Sequence, residues 1–432
     1  PRWLRVANLA NPTRTRSPPF RGLCAHRVDC AVVTSAWPNP RAHALIQELL
    51  TGIDEVLPQA QALRRAIHAD PYIGGAEQPT SDLLSAALNR RTTTIAQTGF
   101  WTRVGPSGPS VAMRSELDAL PLIEDTGAAW ASTNGAMHAC GHDVHMAAVW
   151  AVLKAAEKID LPLGMVGIYQ PREESQPSGA PDVLESGLLE QQDVRSVIGA
   201  HVQPRVPAGL VSSGIGGVNA AADAFDIVVR GHGGHGAYPH VTIDPVPIVA
   251  NIASGLYELV GRLVDPTHAA LISIGRIEAG ATHNIIPDSA MLQGIIRTMD
   301  ERDRQLLHAE VRHFVEYTAA ARGAQAEVSL LRGDPVLAND HSLVVALDPL
   351  LHAAGLPVAE IPFRSLGADD FSHYGLHVPI VMMFVGTGEE AETRHDVGLH
   401  HARFLPGEDT VRTVAAALAA GFVAGAHVAG AV

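Results

Sequence analysis

The chain has 432 residues, 47% hydrophobic and 18% charged, a composition that excludes disorder and a length that exceeds what one core normally organises. With 31 basic and 45 acidic residues its formal charge is −14, which argues against nucleic acid as a partner. Gly, Pro, His or a charge interrupts each apolar stretch before the roughly 20 residues a bilayer requires, so a soluble chain with no membrane span is expected.

In chain order, residues 1–39 carry six arginines against one acid, Asp29, without the apolar core of a secretory signal, and are expected to be a weakly ordered arm. The cysteines are Cys24, Cys30 and Cys140, an odd number that disfavours a disulfide framework and favours a reducing, cytoplasmic setting. From Pro40 onward Ala44, Leu45, Leu49, Leu63 and Ile67 follow helical spacing, and a second helix is predicted over 81–89. Four short apolar runs then lead at once into polar, chemically capable residues. Residues 111–113 precede RSELD, 165–169 precede QPREE, 197–200 end at His201, and 380–385 feed a loop that reaches GLHHARF. Such runs between helices read as buried strands of an α/β sheet, and ligands bind beyond the carboxyl ends of those strands.

Between 221 and 332 the pattern changes. Phe225, Ile227 and Val229 alternate as a strand, and a helix follows with Asp244 as N-cap, Pro245 at its first position and Ile248, Ile252, Leu256, Leu259, Val260 and Leu263 on one face. Strands are predicted over 271–277 and 290–297, then a helix with Leu306, Leu307, Val311, Phe314 and Val315 inward, then a strand over 326–331. The order βαββαβ is that of a ferredoxin-like unit, here inserted between 40–220 and 333–432 of a larger domain with a mixed sheet flanked by helices.

The densest chemistry lies in MHACGHDVH, residues 137–145. Cys140 and His142 would stand about 200° apart on a helix and could not share an ion there, so both are expected in a loop, with Asp143 capping a helix over 146–156. A thiolate and an imidazole from one tight loop suit a divalent ion of borderline softness. The adjacent Glu173 and Glu174, together with His201 and the later His400, are placed at the same sheet edge, and five or six ligands suggest two ions. Which glutamate is a ligand and which a base stays open on the residues alone. The string GHGGHG from Gly231 also satisfies GxGxxG, but the AYPH that follows does not open a helix, so a dinucleotide site is rejected.

LRRAIHADP, MRSELDALP, MHACGHD, QPREES, GAHV, GHGGHGAYPH, HNIIPD, GADDF and LHHARF occur in an order that resembles the dinuclear metal-dependent amidohydrolases. That family includes aminoacylases, carboxypeptidases, hippurate hydrolases and auxin-conjugate hydrolases, and a Cys in the metal motif marks the last two. The resemblance implies that Cys140, His142, Glu174, His201 and His400 hold two divalent ions (Zn, Mn, Co or Ni), with Glu173 as general base and Asp118 behind the metals. It implies His235 as oxyanion donor from a lid, in dimers often the partner's, and Asn284 and Arg297 as contacts for a substrate carboxylate. The expected activity is hydrolysis of a small-molecule amide, an N-acyl amino acid or hippurate-like conjugate, by a homodimer joined through 221–332; a dipeptidase or carboxypeptidase of the same architecture and an inactive metal-binding homologue are the rivals. Glu116, Val144, Arg172, Asp369 and His232 depart from the family pattern, and Arg172 is expected to lower the pKa of Glu173.

Overall fold

The computed structural model describes residues 37–388 and 397–432. Cys24, Cys30 and nearly all of the expected N-terminal arm lie outside the described residues. Residues 37–39, expected in that arm, are anchored instead: the Trp37 ring stacks on His427 at 3.7 Å, its indole N–H donates to the Ala346 carbonyl at 2.8 Å, and Asn39 caps the first helix.

That helix, α1 (Pro40–Ala69), is followed by α2 (Gln78–Leu88), β1 (Thr93–Ile95), β2 (Gly99–Val104), β3 (Ser110–Glu116), α3 (His142–Ala156), β4 (Gly164–Gln170), α4 (Gly179–Glu185), α5 (Leu188–Gln191) and β5 (Val194–Pro207). Next come β6 (Val211–Ser212), β7 (Gly216–Asn219), β8 (Ala221–Arg230), β9 (Gly234–His235), α6 (Pro245–Leu263), β10 (Ala270–Ala279), β11 (Ile285–Ile286), β12 (Ser289–Thr298), α7 (Glu301–Ala320) and β13 (Gln325–Arg332). The chain ends with β14 (Leu337–Asn339), α8 (His341–Ala353), β15 (Ile380–Gly388) and α9 (Thr410–Val428). Helix α2 starts earlier than predicted, at Gln78, and the buried Ser81 hydroxyl inside it donates to the Thr98 carbonyl.

The larger sheet runs β1-β2-β4-β3-β5-β15-β6. Its four central strands, β4, β3, β5 and β15, are mutually parallel, so their carboxyl ends share one edge. Both faces are covered, which explains the unbroken apolar runs. Val111, Met113, Met165 and Ile198 pack with α1, α3 and α9 on one side, whereas Ala112, Val166, Ile168 and Val197 pack with Phe371 and Tyr374 on the other. Strand β5 does not stop at His201; it pairs with β15 through Val202 and Gln203 and continues to Pro207.

Helix α9 is the exception to the expectation about apolar stretches, being long and apolar enough to cross a bilayer by length and composition. It is instead a core helix of this fold, and Gly421 marks its closest approach to the sheet, where a Cβ would stand 2.4 Å from Ile198 Cγ2.

Residues 221–332 build a second sheet in the order β10-β12-β8-β13, antiparallel throughout, with α6 and α7 on one face. Phe225, Ile227 and Val229 meet Ile252, Leu256, Leu307, Val311 and Val315 in its own core, while Leu306 is exposed rather than inward. At the foot of β8, Asp223 receives Arg304 through both carboxylate oxygens, 2.8 and 2.6 Å, and His308 at 2.6 Å. Burial opposes the Asp223 charge, but these partners hold its carboxyl well below the usual range.

Asp223→Ala strands Arg304 in a buried site, and breaking such a pair costs about 3–5 kcal/mol. Urea unfolding is expected to show a loss of that size, whereas a change under about 1 kcal/mol marks the pair as dispensable.

Candidate metal centre

Cys140 lies in the turn before α3 and His142 is the first residue of that helix. Asp143 is therefore not the cap. Gly141 takes that position in the left-handed region, φ 83°, and this kink lets side chains two residues apart face one point, which a regular helix forbids. Asp143 instead lies buried in the first helical turn, where it accepts Arg64 Nε at 2.9 Å and His68 Nδ1 at 3.0 Å. Burial works against its charge, yet those cations keep it far below the normal carboxylate range. The helix start that carries His142 is thus pinned to α1.

Glu173 and Glu174 follow β4 in a loop held from beneath. The two oxygens of the buried Asp118 accept the backbone N–H groups of Glu173 (3.0 Å) and Glu174 (2.9 Å), while the Asp118 carbonyl pairs with His142 Nδ1 at 2.8 Å. One short segment therefore orients two acids and an imidazole. His142 Nε2, on the other side of the ring, is buried without a hydrogen-bond partner among the described residues.

His201, mid-strand on β5, brings Nε2 to 3.5 Å from Cys140 Sγ, and its Nδ1 pairs with the Val202 carbonyl at 2.7 Å. His400 enters from the turn before α9, with φ 64° and its N–H bonded to the Ala139 carbonyl at 2.9 Å, and sets Nε2 2.9 Å from Glu174 Oε1. Donor atoms of Cys140, His142 and His201 lie within 4.8 Å of one another, as do those of Cys140, Glu174 and His400, and those of His142, Glu173 and Glu174. All five sequence-predicted ligands thus converge. Burial pushes the Cys140 thiol well up, with Glu174 and Glu173 adding to it, and lowers His201 to about 3. A thiol this far from its charged form acts as a thiolate only beside a cation, so this donor set fits divalent metal.

Beneath the ligands lies a network that sequence reasoning missed. Arg114, fully buried on β3, contacts Glu116 and Asp370, reaches Asp369 at 3.5 Å and donates to Gln170 at 3.0 Å. Glu116 also receives His145 Nδ1 at 2.8 Å, and His145 Nε2 accepts the Val202 N–H at 3.0 Å, so His145 is a structural link in its Nδ1–H tautomer. His138, also outside the ligand set, is lowered to about 3, chiefly by burial. Asp369 and Asp370 are pushed up to about 6 by burial even beside Arg114. A signal existed: Arg at the inward end of an apolar run, and two acids in GADDF, are costly residues to bury unless paired.

Arg172 does not act on Glu173 as expected. Its guanidinium pairs with Asp182 and its N–H donates to Glu77 at 2.9 Å. Glu173 is held well above the usual carboxylate range, first by burial and then by Asp369, Glu174 and Asp370, with Arg114 pulling the other way.

The remaining candidates are elsewhere. His235 is exposed on β9, which pairs with β11 beside Asn284, whose carbonyl accepts the Gly236 N–H at 2.9 Å. Arg297 is half-buried on β12. None of the three lines the ≈ 230 Å³ cavity over the ligand cluster, which is walled by Glu173, Gln203, Asn219, Ser365, Asp369 and Phe384 among others.

A family model described as peptidase family M20/M25/M40 matches residues 112–420. The chain is 34% identical over 346 residues to the N-acetyl-L-cysteine deacetylase of Bacillus subtilis (78% of this chain, 82% of that one). It is also 34% identical over 381 residues to thermostable carboxypeptidase 2 of Saccharolobus solfataricus (85% and 95%). The solved YXEP protein of Bacillus subtilis, described as a dinuclear metal binding peptidase, superposes with a TM-score of 0.75 at 29% identity, covering 86% of this chain and 98% of that one.

At Gly141 a Cβ would stand 2.3 Å from Val202 Cγ2 in a conformation that already disfavours side chains. Gly141→Ala is expected to lower stability by about 2–4 kcal/mol and to reduce bound metal measured by elemental mass spectrometry. Full metal content in the variant would show that the kink does not set the ligand geometry.

Proposed function

The chain belongs to the M20/M25/M40 peptidase family and is a hydrolase, and from that premise we propose that it cleaves the amide bond of N-acyl amino acids, hippurate-like conjugates included. The observation that carries this reading is Asp118 aiming two glutamates with separate surroundings at one cavity. Glu174 shares its donor group with Cys140 and His400, which supports a ligand role. Glu173 faces Asp369 and Asp370, an acidic setting that favours holding a proton, as a base must after it has taken one.

Cys140, His142, Glu174, His201 and His400 would hold two divalent ions, because the triad with His201 and the triad with His400 share only Cys140. Mixed sulfur, nitrogen and oxygen donors accept Zn, Mn, Co or Ni. Bound there, the ions supply Lewis acidity that polarises a carbonyl and acidifies water. Glu173 accepts the proton released on attack at the amide carbon and returns it to the departing amine, a shuttle worth ~10²–10⁴ in rate. Asp118 keeps Glu173 in place during both transfers. A reduced Cys140 is required throughout, which supports a cytoplasmic setting.

Recognition of the amino-acid carboxylate falls in this reading to Asn284 and Arg297, whose amide and guanidinium suit it. His235 serves as oxyanion donor from the partner in a homodimer joined through 221–332. Its exposed position on the β9–β11 pair supports that assignment, since Tyr238, Val241 and Ile285 beside it are more than half exposed. The carboxypeptidase relative favours a second reading, hydrolysis of small peptides. Product analysis with N-acyl amino acids against dipeptides separates the two.

Glu173→Ala is expected to lower kcat by ~10²–10⁴ with metal still bound, in assays with added Mn²⁺, Co²⁺ or Zn²⁺. Equal, negligible rates in both proteins would mark a homologue that binds metal without turnover. Cys140→Ala removes the site's thiolate, and mass spectrometry is expected to find less metal. Unchanged stoichiometry and affinity would make Cys140 structural.

A further inference from the structure

The loop that carries Glu173 and Glu174 is held at one more point, which neither metal binding nor proton transfer accounts for. Three successive N–H groups donate to buried carboxylates: those of Glu173 and Glu174 to Asp118, and that of Arg172 to Glu77 Oε1 at 2.9 Å. Arg172 has φ 57°, in the left-handed region that residues with a side chain rarely adopt. Its carbonyl accepts the Gly179 N–H at 3.0 Å, so its backbone is bonded at both ends. Strained backbone persists only where its surroundings overdetermine it.

Glu77 is fully buried and stands at the cap position of α2, yet its side chain makes no cap hydrogen bond. Its carboxylate turns to the loop instead, and its second oxygen accepts the Thr98 hydroxyl at 2.8 Å. Thr98 is tied to α2 in turn, its carbonyl accepting the Ser81 hydroxyl. A buried carboxylate is costly to keep, whereas a helix cap can be made at the surface without that cost. Among the described residues, neither Glu77 nor Arg172 belongs to a group of donors that could hold an ion, and neither lines the cavity.

With the N–H and C=O of Arg172 and the N–H of Glu173 all bonded, φ and ψ of Arg172 are set, and with them the direction in which the chain enters Glu173. Asp118 alone would hold the N–H groups of the two glutamates and leave that entry free to turn. Resting on the reading of Glu173 as general base, we propose that Glu77 is a positioning residue for it. The Glu77 acceptor holds the turn at Arg172, and the turn sets where the Glu173 carboxylate stands in the cavity. A base displaced by about 1 Å can cost ~10²-fold in rate, so a side chain that never meets the substrate can govern kcat. Glu174 depends less on this turn, because its N–H keeps Asp118 and its carboxylate keeps His400.

The test uses the metal-loaded full chain, by crystallography and by steady-state hydrolysis of N-acetyl amino acids. In Glu77→Leu the Glu173 carboxylate is expected to move by about 1 Å or more with the ions and their ligands in place, and kcat to fall by ~10–10²-fold at unchanged KM. Glu77→Gln keeps an acceptor for the Arg172 N–H while its amide donates to the Thr98 hydroxyl oxygen, and is expected to recover the rate to within ~3-fold of wild type. In a Glu173→Ala background, Glu77→Leu is expected to cost less than ~2-fold, because it acts through the group already removed. A Glu173 carboxylate unmoved in Glu77→Leu, a Gln variant as slow as the Leu variant, ions lost along with the rate, or a full further loss on top of Glu173→Ala overturns the proposal. Should Glu77→Leu fail to fold, Glu77→Asp draws the acceptor back by one methylene, and a wild-type kcat in that variant overturns it. A Glu173→Ala that keeps the wild-type rate overturns the base reading itself, whereas a slow Glu173→Ala beside a wild-type rate in Glu77→Leu overturns only the positioning role.

Discussion

Arg114 stands among Glu116, Asp369, Asp370 and Glu173 at the carboxyl edge of the central sheet, a single buried cation beside four acids. Desolvating such groups costs several kcal/mol for each ion, so they persist together only because the geometry pairs them closely. Burial opposes the guanidinium charge, but Glu116 and the two aspartates raise Arg114 well above its ordinary value. This pairing ties three segments of chain to one point: β3 through Arg114 and Glu116, α3 through His145, and the turn of Asp369 and Asp370. Everything nearer the solvent is built on that floor.

A second consequence concerns charge. The floor compensates its own acids only in part, since Asp369, Asp370 and Glu173 all remain shifted upward. Above it lie the buried Cys140 thiol, Glu174, the buried imidazoles of His142 and His201 and the exposed one of His400; His142 Nε2 is without a hydrogen-bond partner among the described residues. An arrangement with acids below and soft and borderline donors above is stable as a metal centre and poor as an ordinary core. The two glutamates differ because of where the floor ends: Glu174 leans toward His400, and Glu173 toward the aspartates.

The parallel core was legible because strands buried on both faces spell uninterrupted apolar runs, as 111–113 and 165–169 do. The four-stranded unit was legible because Phe225, Ile227 and Val229 alternate and Asp244 and Pro245 announce a helix. The cap of α3 was not, since Asp143 is a good cap by type, and only its distant partners Arg64 and His68 show why it lies inside the helix. Arg172 misled for the same reason: a neighbour in sequence points its charge at Asp182, while the cation that reaches Glu173 is Arg114 from another strand. Helix α9 escaped the count of apolar stretches because glycines that interrupt such a count, such as Gly421, are what allow close packing on the sheet. Convergence of the five ligands was expected by resemblance, but the service of Asp118 to both glutamate N–H groups is a fact of backbone geometry that no spacing encodes.

The central claim is that Cys140, His142, Glu174, His201 and His400, drawn from four separate stretches of chain, enclose one two-ion centre. Anomalous diffraction from crystals grown with Mn²⁺ tests it most directly. The account predicts two peaks per chain inside that ring of five side chains, both absent from the Glu116–His145 pair beneath. A single peak, or peaks on the Asp369–Asp370 cluster, would contradict it.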